Sequence, residues 1–398
     1  MAPPDSHDIL PRVLAFYHHW RKLYGPKHLI WFGTKARLTI SSPELIREVL
    51  LTRAEHFDRY EAHPLICQFE GYGLSNLHGD AWSRHRRVLS PAFHTDNLKR
   101  LLPFVADTVR RMLDDLAVVA ASGNAGEAEV DVAEWFQRVP QEVITFATFG
   151  RRNYEDGSVV FKLQDELAGL AADAHSKVFI PGYRFLPLRR NMRVWHLVRE
   201  ISKGLAAFIA NLQQTKPDDH GDDKGGMRDF MSFMAPAMTP EEIIEESKNF
   251  FFAGKETLLG MIVNETLRLY PPAVAMMRTA KQDVELGGCV VPAGTELLIP
   301  ILAVHHDEEH WGADAAEFNP ARFGDDRPLR RHQMAFMPFG GGERVCIGQN
   351  LALMEAKMAL AVVLQRFTFR LSPSYVHAPQ VLMILQPQHG APVIFRPL

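Results

Sequence analysis

The sequence predicts a mainly α-helical protein with a small β component, folded as a single domain over residues 1–398. Helical periodicity is the main reason, because apolar residues recur at three- and four-residue spacing between Leu98 and Leu116. Strand-like alternation is confined to two short stretches, 28–40 and 284–300. Although 398 residues exceed the usual domain size, large enzymes of one domain reach this length.

Local signals in the first half of the chain predict several elements. Residues 28–40 alternate well enough for two strands with a turn between them. Ser42 then caps a helix that begins at Pro43, a position where the missing N–H of proline is not needed. Further helices are predicted over 139–149 and 197–212.

The second half of the chain contains three more predicted elements. Thr239 and Glu242 form a capping box that begins a helix predicted to run to residue 269. Residues 284–300 predict a hairpin, since turn signals separate their apolar runs. A last helix follows Gly348, with an apolar face at residues 351, 353, 354, 358, 360, 361 and 364.

Composition limits the possible functions. A formal net charge of -3 gives no reason to expect a nucleic-acid partner. Three cysteines cannot form a disulfide framework, which favours a reducing compartment or the reducing face of a membrane. Residues 1–20 contain no apolar run near the ~20 residues that a membrane span needs, so we expect the chain as it stands to be soluble or peripherally attached.

The last cysteine, Cys346, lies in a glycine-rich loop, FGGGERVCIG, that begins at Phe339. Glycines permit tight turns and leave room for a flat group to approach the backbone. Arg344 adds a cation beside an anionic group, and a helix that starts just after the sulfur favours a thiolate. This combination suits a soft anionic ligand for iron. Cys67 and Cys289 have no such neighbours and are interpreted as buried, structural residues.

The loop resembles the haem-binding signature of the cytochrome P450 monooxygenases, with Phe, Gly, Arg, Cys and Gly at the same spacing. The resemblance implies a cytochrome P450 fold and a haem b cofactor (iron protoporphyrin IX). It makes Cys346 the thiolate ligand of the iron, whose electron donation favours O–O cleavage. It also implies that Phe339 packs beside the sulfur and that Arg344 pairs with a haem propionate.

A second set of residues resembles the network that braces the proximal side of the family's site. Glu265 and Arg268 are three residues apart and share a helical face. With Arg322 they resemble the family's Glu-Arg-Arg network. A lone Glu-x-x-Arg would be no evidence, because any helix can carry such a surface ion pair.

Three further residues stand where the family places partners of the haem propionates. Trp82 and Arg86 are four residues apart on one helical face, and Arg278 follows the Glu-x-x-Arg helix. The alternative for each arginine is a solvated position on a helix or a strand edge.

Residues 250–258, FFFAGKETL, resemble the distal helix of the family. The hydroxyl of Thr257 and the carboxylate of Glu256 suit a relay that delivers protons through water to dioxygen. Gly254 would widen the helix groove so that dioxygen fits. The alternative is an ordinary amphipathic helix.

Residues 306–310, HDEEH, fit the H-x-x-E-H pattern of some zinc proteases. That chemistry needs both histidines on one stable helical turn. Here the segment runs straight into a predicted loop, so we do not expect zinc.

Two departures from the family pattern bear on function. Relatives begin with an apolar helix, whereas this chain starts near the beginning of their globular part, which predicts a truncated N-terminus. Relatives also separate the distal motif from the Glu-x-x-Arg motif by more than fifty residues, but Thr257 and Glu265 are eight apart here. On one straight helix Thr257 and Arg268 would be about 17 Å apart. We interpret the spacing as an internal deletion near 257–261.

The resemblance covers nearly the whole chain, and residues 56–93 resemble plant members that inactivate brassinosteroid hormones by hydroxylation. It implies a monomeric monooxygenase that uses O2, a hydrophobic steroid and electrons from NADPH-cytochrome reductase at the endoplasmic reticulum membrane. Two alternatives stay open. One is a shortened, non-catalytic form that binds haem weakly or not at all, and the other is a haem protein without turnover.

Overall fold

A computed structural model describes residues 6–123, 126–149, 154–175, 185–214, 230–253, 260–324 and 333–398. Within them the chain is mainly helical with small sheets, which confirms the predicted fold class. The helices are α1 (Leu10–Val13), α2 (Ala15–Tyr24), α3 (Pro43–Arg47), α4 (Pro64–Glu70), α5 (Gly79–Leu89), α6 (Thr95–Lys99), α7 (Leu102–Ser122), α8 (Val132–Phe149), α9 (Tyr154–His175), α10 (Arg189–Gln214), α11 (Phe230–Met234), α12 (Pro240–Ala253), α13 (Gly260–Leu269), α14 (Ile301–His305), α15 (Glu308–Trp311) and α16 (Gln349–Arg366).

The strands are short. They are β1 (His28–Phe32), β2 (Lys35–Thr39), β3 (Phe57–Arg59), β4 (Ala128–Asp131), β5 (Met276–Ala280), β6 (Val284–Leu286), β7 (Cys289–Val291), β8 (Glu296–Ile299), β9 (Phe367–Leu371), β10 (Pro379–Leu382), β11 (Ile384–Pro387) and β12 (Pro392–Pro397).

The described residues divide into two compact units. The sheet unit contains those of 1–61, 258–346 and 376–389, and the helix unit contains those of 62–257, 347–375 and 390–398. Each unit has its own sheet and its own buried side chains. The single domain over residues 1–398 stays a prediction.

A five-stranded sheet of order β1-β2-β8-β5-β3 organises the sheet unit. The strands predicted over 28–40 are confirmed, because β1 and β2 pair antiparallel around Gly33, whose φ is 63°. Strand β2 runs parallel to β8, whereas β5 is antiparallel to both β8 and β3. Ile40, Ile46 and Leu297 lie in its core without exposed surface.

The hairpin predicted over 284–300 is confirmed only in its first part. Gly287 and Gly288, at φ 56° and 74°, turn the chain between β6 and β7. Residues 296–299 instead form β8 in the larger sheet, where Leu297 and Ile299 are fully buried. These residues join the larger sheet because they are buried between β2 and β5, and hydrophobic periodicity does not show which strands will pair.

Long helices form the core of the helix unit. Helix α7 packs against α8 and α16, and α9 packs against α8 and α10. The stripe predicted over 98–116 is divided between α6 and α7, because Pro103 occupies the first turn of α7 and has no N–H to continue an earlier helix. Strands β4, β12 and β9 form a small sheet beside these helices. In the part of the chain that the structure describes, no helix is both long and apolar enough to cross a membrane.

The last helix, α16, begins just after Gly348 as predicted, but its buried face differs from the prediction. Leu364, which was assigned to the apolar face, is 50% exposed. The side chains that are buried are Leu351, Glu355, Ala356, Ala359 and Val363. The apolar pattern predicted the wrong face because the buried face includes a glutamate, Glu355. Burial raises the pKa of the Glu355 carboxyl to about 8.

Two neighbouring histidines at the end of α14 are held neutral inside the sheet unit. Nε2 of His305 accepts a hydrogen bond from the Met337 amide at 3.0 Å, and Nε2 of His306 donates to the Leu269 carbonyl at 3.0 Å. Burial, with the charge of Arg268 adding to it, lowers the pKa of His305 to about 3 and that of His306 to about 4.

These histidines predict acid sensitivity. Below pH 6.5 the unfolded chain takes up a proton at His306, whereas the folded chain does not until about pH 4, so stability is lost as the pH falls through this window. His306→Gln keeps a side-chain donor for the Leu269 carbonyl and removes the titration. We expect the slope of unfolding free energy against pH between 4 and 6.5 to decrease by about 1.4 kcal/mol per pH unit in this variant. Urea unfolding across that range measures the slope.

The control for this experiment is His19→Gln, since His19 is an exposed residue of the same unit. It should leave the slope unchanged. Equal slopes in all three proteins would contradict the buried, neutral state of His306.

Candidate functional site

The loop from Phe339 to Cys346 is closed by its own backbone. The Cys346 amide donates to the Phe339 carbonyl at 2.9 Å, and the Gly340 amide donates to the Met337 carbonyl at 3.0 Å. Between them the Val345 amide donates to the Gly342 carbonyl at 3.1 Å. Backbone hydrogen bonds thus hold the conformation of the loop, and the side chain of Cys346 is exposed.

Backbone conformation and close packing explain why glycines occupy two positions of this loop. Gly340 and Gly342 have φ values of 78° and 71°, which L side chains rarely adopt. A Cβ on Gly342 would lie 2.0 Å from the carbonyl oxygen of Leu50. The prediction that the glycines permit tight turns is confirmed at Gly340 and Gly342, and Gly342 is needed in addition for close packing against Leu50.

A cluster of arginines lies in the same unit as the loop. Arg278 of β5 and Arg59 of β3 are directly opposite each other across the antiparallel pair. Arg344 of the loop binds Asp58 at 3.2 Å, and the Arg59 amide donates to the same carboxylate oxygen at 2.7 Å. The cluster therefore joins two strands to the loop of the cysteine.

The electrostatics of the cluster favour an anion. Burial lowers the pKa of Arg278 to about 10, with the charges of Arg344 and Arg59 adding to the effect. Burial also lowers the pKa of Arg344, although Asp58 opposes the shift. Asp58 and the exposed Glu343 are carboxylates that act to raise the pKa of Arg344. The mutual repulsion of the three guanidinium groups suits a ligand that carries carboxylates.

Sequence reasoning predicted Arg278 and Arg344 but missed Arg59. A lone arginine on a three-residue strand carries no signal by itself. Its place in the cluster comes from its register opposite Arg278, a pairing between distant parts of the chain.

Two other predicted residues lie together in the helix unit. Trp82 and Arg86 are both half-buried and share one face of α5. The structure thus groups Phe339, Arg344, Cys346 and Arg278 in one unit, and Trp82 with Arg86 in the other. Glu256 and Thr257, the predicted proton relay, lie outside the described residues.

The predicted Glu-Arg-Arg network is present and deeply buried. Arg268 binds both carboxylate oxygens of Glu265, at 2.7 and 2.8 Å, and neither side chain has exposed surface. Arg322 donates to Glu265 at 3.3 Å, and the Asn319 amide donates to it at 2.8 Å. Every oxygen of the carboxylate therefore has a donor, which is the condition for a buried ion pair to be tolerated.

The zinc alternative finds no support. Asp307 caps the four-residue helix α15, so His306 lies before this helix and His310 lies within it. Among the described residues no cluster of His, Cys, Asp and Glu could hold a metal ion. Cys289, interpreted as buried, is instead exposed and accepts a hydrogen bond from Lys27 at 3.3 Å.

An exposed cysteine on a loop closed by backbone hydrogen bonds, with Arg344 on the same loop and Arg278 near it, fits a haem with a thiolate ligand and two propionates. A sequence model of "Cytochrome P450" matches this chain over residues 11–259 and 257–395. The chain belongs to the cytochrome P450 family. Members of this family are haem-thiolate monooxygenases that use dioxygen, a hydrophobic substrate and a redox partner.

Several curated P450 proteins are similar over the whole chain. Cytochrome P450 734A5 of Oryza sativa subsp. japonica is 69% identical over 452 aligned positions, which cover 100% of this chain and 84% of the relative. Cytochrome P450 734A6 of the same species is 51% identical, with 100% and 84% covered. Cytochrome P450 734A1 of Arabidopsis thaliana is 47% identical, with 99% and 85% covered.

The alignment with cytochrome P450 734A5 is longer than the chain itself. It has 452 positions, whereas the chain has 398 residues, so at 54 positions residues of the relative stand opposite gaps in this chain. The two stretches that match the family model meet at residues 257–259.

The packing of the cysteine loop predicts which glycine cannot be replaced. Gly342→Ala places a methyl group against the Leu50 carbonyl, and we expect it to lower the free energy of unfolding by about 3 kcal/mol or more. Gly288→Ala is the matched control, because its φ of 74° is similar but a Cβ there meets nothing within 4 Å. It should cost only the backbone penalty of about 1–2 kcal/mol. Urea unfolding of both variants measures the difference, and equal losses would contradict the close contact with Leu50.

Proposed function

We propose that this chain is a haem b-dependent monooxygenase that hydroxylates a hydrophobic plant steroid of the brassinosteroid class. The observation that carries the proposal is the exposed Cys346 on a loop joined to a cluster of arginines. A haem of this type needs a thiolate for its iron and cations for its propionates. The steroid class is supported by the resemblance of residues 56–93 to plant members that inactivate these hormones.

The residues of the sheet unit have distinct roles in this proposal. The thiolate of Cys346 binds the iron, and Phe339, whose carbonyl accepts from the Cys346 amide, packs beside the sulfur. Arg344 and Arg278 pair with the propionates, and Arg59 adds a third guanidinium to the same cluster. When bound, the haem supplies the one-electron and dioxygen chemistry.

The helix unit contributes the remaining proposed residues. The resemblance to the family makes Trp82 and Arg86, which share a face of α5, proposed partners of haem propionates. Glu256 and Thr257 hold and pass protons for the reduction of dioxygen. NADPH-cytochrome reductase supplies the electrons, and the proposed location is the endoplasmic reticulum membrane.

We further propose one domain with an internal deletion near 257–261. Three observations support it. Thr257 and Glu265 are eight residues apart, the two family matches meet at residues 257–259, and the alignment with the 69% identical relative is 54 positions longer than the chain.

The central test is the spectrum of the reduced protein with carbon monoxide. The parent chain should show the red-shifted Soret band of a thiolate-ligated haem, and Cys346→Ser should lose it because a hydroxyl does not replace the thiolate donor. Cys289→Ser, which removes an exposed cysteine of the same unit, is the control and should keep the band.

The outcomes separate the proposal from its alternatives. The thiolate band together with NADPH-dependent hydroxylation of a steroid supports the proposal. The band without turnover indicates a haem protein that does no catalysis, and no haem uptake indicates the shortened, non-catalytic form. An unchanged band in Cys346→Ser would show that the ligand was assigned wrongly.

The arginine cluster predicts selectivity for the propionates. Arg278→Gln should weaken the binding of haem by about 10- to 100-fold, the range expected when one charge-assisted hydrogen bond is lost. It should leave the binding of haem dimethyl ester nearly unchanged, because the ester has no carboxylates. Arg47→Gln, at an exposed site of α3, is the control. Titration of each protein with both compounds gives the affinities, and an equal loss for both would contradict an electrostatic role.

A further inference from the structure

A buried polar contact joins two helices of the helix unit. Nδ1 of His85 on α5 lies 2.6 Å from Oε1 of Glu246 on α12, and their side chains are 4% and 0% exposed. Removing two such groups from water is costly unless they are well paired. Replacing a buried ionisable pair by apolar side chains is often neutral or stabilising for the fold, so packing alone does not account for this contact.

The neighbouring arginine fixes the position of the imidazole proton. Nη2 of Arg84 lies 3.0 Å from Nε2 of His85. A guanidinium can only donate, so Nε2 accepts and the ring proton is on Nδ1, where it faces Glu246. The second carboxylate oxygen of Glu246, Oε2, is buried and has no hydrogen-bond partner among the described residues.

The other end of this contact reaches solvent. Oε1 of Glu242 lies 3.5 Å from Nε2 of His85, and its side chain is 30% exposed. One water molecule or a small rotation closes that gap. The hydrogen bond from Arg84, together with that from Thr239, lowers the pKa of Glu242, so a carboxylate is present there at neutral pH. Exposure therefore falls from Glu242 through His85 to Glu246.

We propose that Glu242, His85 and Glu246 form a proton path from solvent to the interior of the helix unit. A hydronium ion at Glu242 gives a proton to Nε2 of His85 as Arg84 releases this nitrogen, and the proton on Nδ1 moves to Oε1 of Glu246. One proton enters the ring and one leaves, so the ring is neutral again with its proton on Nε2, and rotation of the ring turns this N–H toward Glu246. No electrons move.

The purpose of the path rests on the proposed function. Reduction of dioxygen by a monooxygenase consumes protons, which must come from solvent. Glu242 and Glu246 are four residues apart on one face of α12, and Glu256 follows Glu246 by ten residues in the sequence. The path would therefore serve the helix that leads to the proposed relay.

Other acidic groups near α5 and α12 are bonded elsewhere. Glu70 of α4 accepts from Asn76, Glu142 of α8 pairs with Arg111, and Glu245 of α12 accepts from the Tyr72 amide. On α10, Glu200 pairs with Lys203. Helix α11 contains no titratable residue. His85 lies between Glu242 and Glu246, with Nε2 3.5 Å from the first carboxylate and Nδ1 2.6 Å from the second.

Exchange of the His85 Nδ1 proton with deuterium tests the path. Long-range ¹H–¹⁵N spectra of protein labelled in histidine follow this proton, with His85→Gln to assign it. Glu242→Gln should slow the exchange at least tenfold because it removes the proton acceptor at the solvent end. The substituted side chain still accepts the Thr239 amide, so the helix cap is kept. Glu241→Gln, at an exposed site of the same turn, is the matched control and should change nothing.

A purely structural contact would behave differently. Exchange would then require local unfolding, would follow the free energy of unfolding in urea, and would be the same in Glu242→Gln and Glu241→Gln, which would overturn the path. The measurement needs no haem. Loss of the thiolate band in the parent protein would defeat the proposed function, and the exchange result would still decide the path.

Discussion

The buried guanidinium of Arg268 is the contact on which the sheet unit most depends. Besides both oxygens of Glu265, it binds the carbonyls of His305 at 2.8 Å and Ala315 at 2.6 Å. From His305 the connections continue, because its ring accepts from the Met337 amide and the Met337 carbonyl accepts from Gly340. A few hydrogen bonds thus lead from one fully buried cation to the first glycine of the cysteine loop. Removing a partner of such a buried pair typically costs 3–5 kcal/mol.

The charge of Arg268 also affects the protonation of the neighbouring His305. The positive charge of Arg268 and complete burial both favour neutral imidazole, which is why His305 can accept from an amide instead of donating with both nitrogens. The arginines beside the loop differ from Arg268, because burial lowers the pKa of both Arg278 and Arg344 and the charge of Arg59 acts in the same direction on each. Arg268 is thus paired with Glu265 without exposed surface, whereas Arg344 pairs with Asp58 at the loop itself.

The sequence allowed the prediction of those features that depend on local spacing. The pair of Glu265 and Arg268 was found because a helix brings residues three apart onto one face, and Cys346 was predicted as a site residue because its whole loop is a continuous motif. Arg59 was missed because its partner Arg278 is opposite only in the sheet, and a register between distant strands leaves no local trace. Glu355 was missed for another reason, since periodicity counts every glutamate as exposed.

His85 shows the same limit as Glu355. Its neighbours Trp82 and Arg86 were predicted as propionate partners because they match a family pattern, whereas the buried histidine between them has its partner, Glu246, on another helix. For Gly342 the sequence predicted a tight turn but not the close contact with the Leu50 carbonyl, which a side chain at this position would meet. Side-chain partners across helices and loops therefore account for most of what local patterns did not predict.

The buried ionisable groups also bear on whether the two units fold as one domain. In the sheet unit, the low pKa values of His305 and His306 make the free energy of unfolding fall as the pH drops below 6.5, because only the unfolded chain takes up protons there. In the helix unit, burial raises the pKa of Glu355 from 4.5 to about 8, so its contribution is complete below 4.5 and is lost as the pH rises. Between pH 4.5 and 6.5 the two effects have opposite signs. In one cooperative domain they partly cancel within a single transition, whereas in two independent units they separate into two transitions that move in opposite directions with pH.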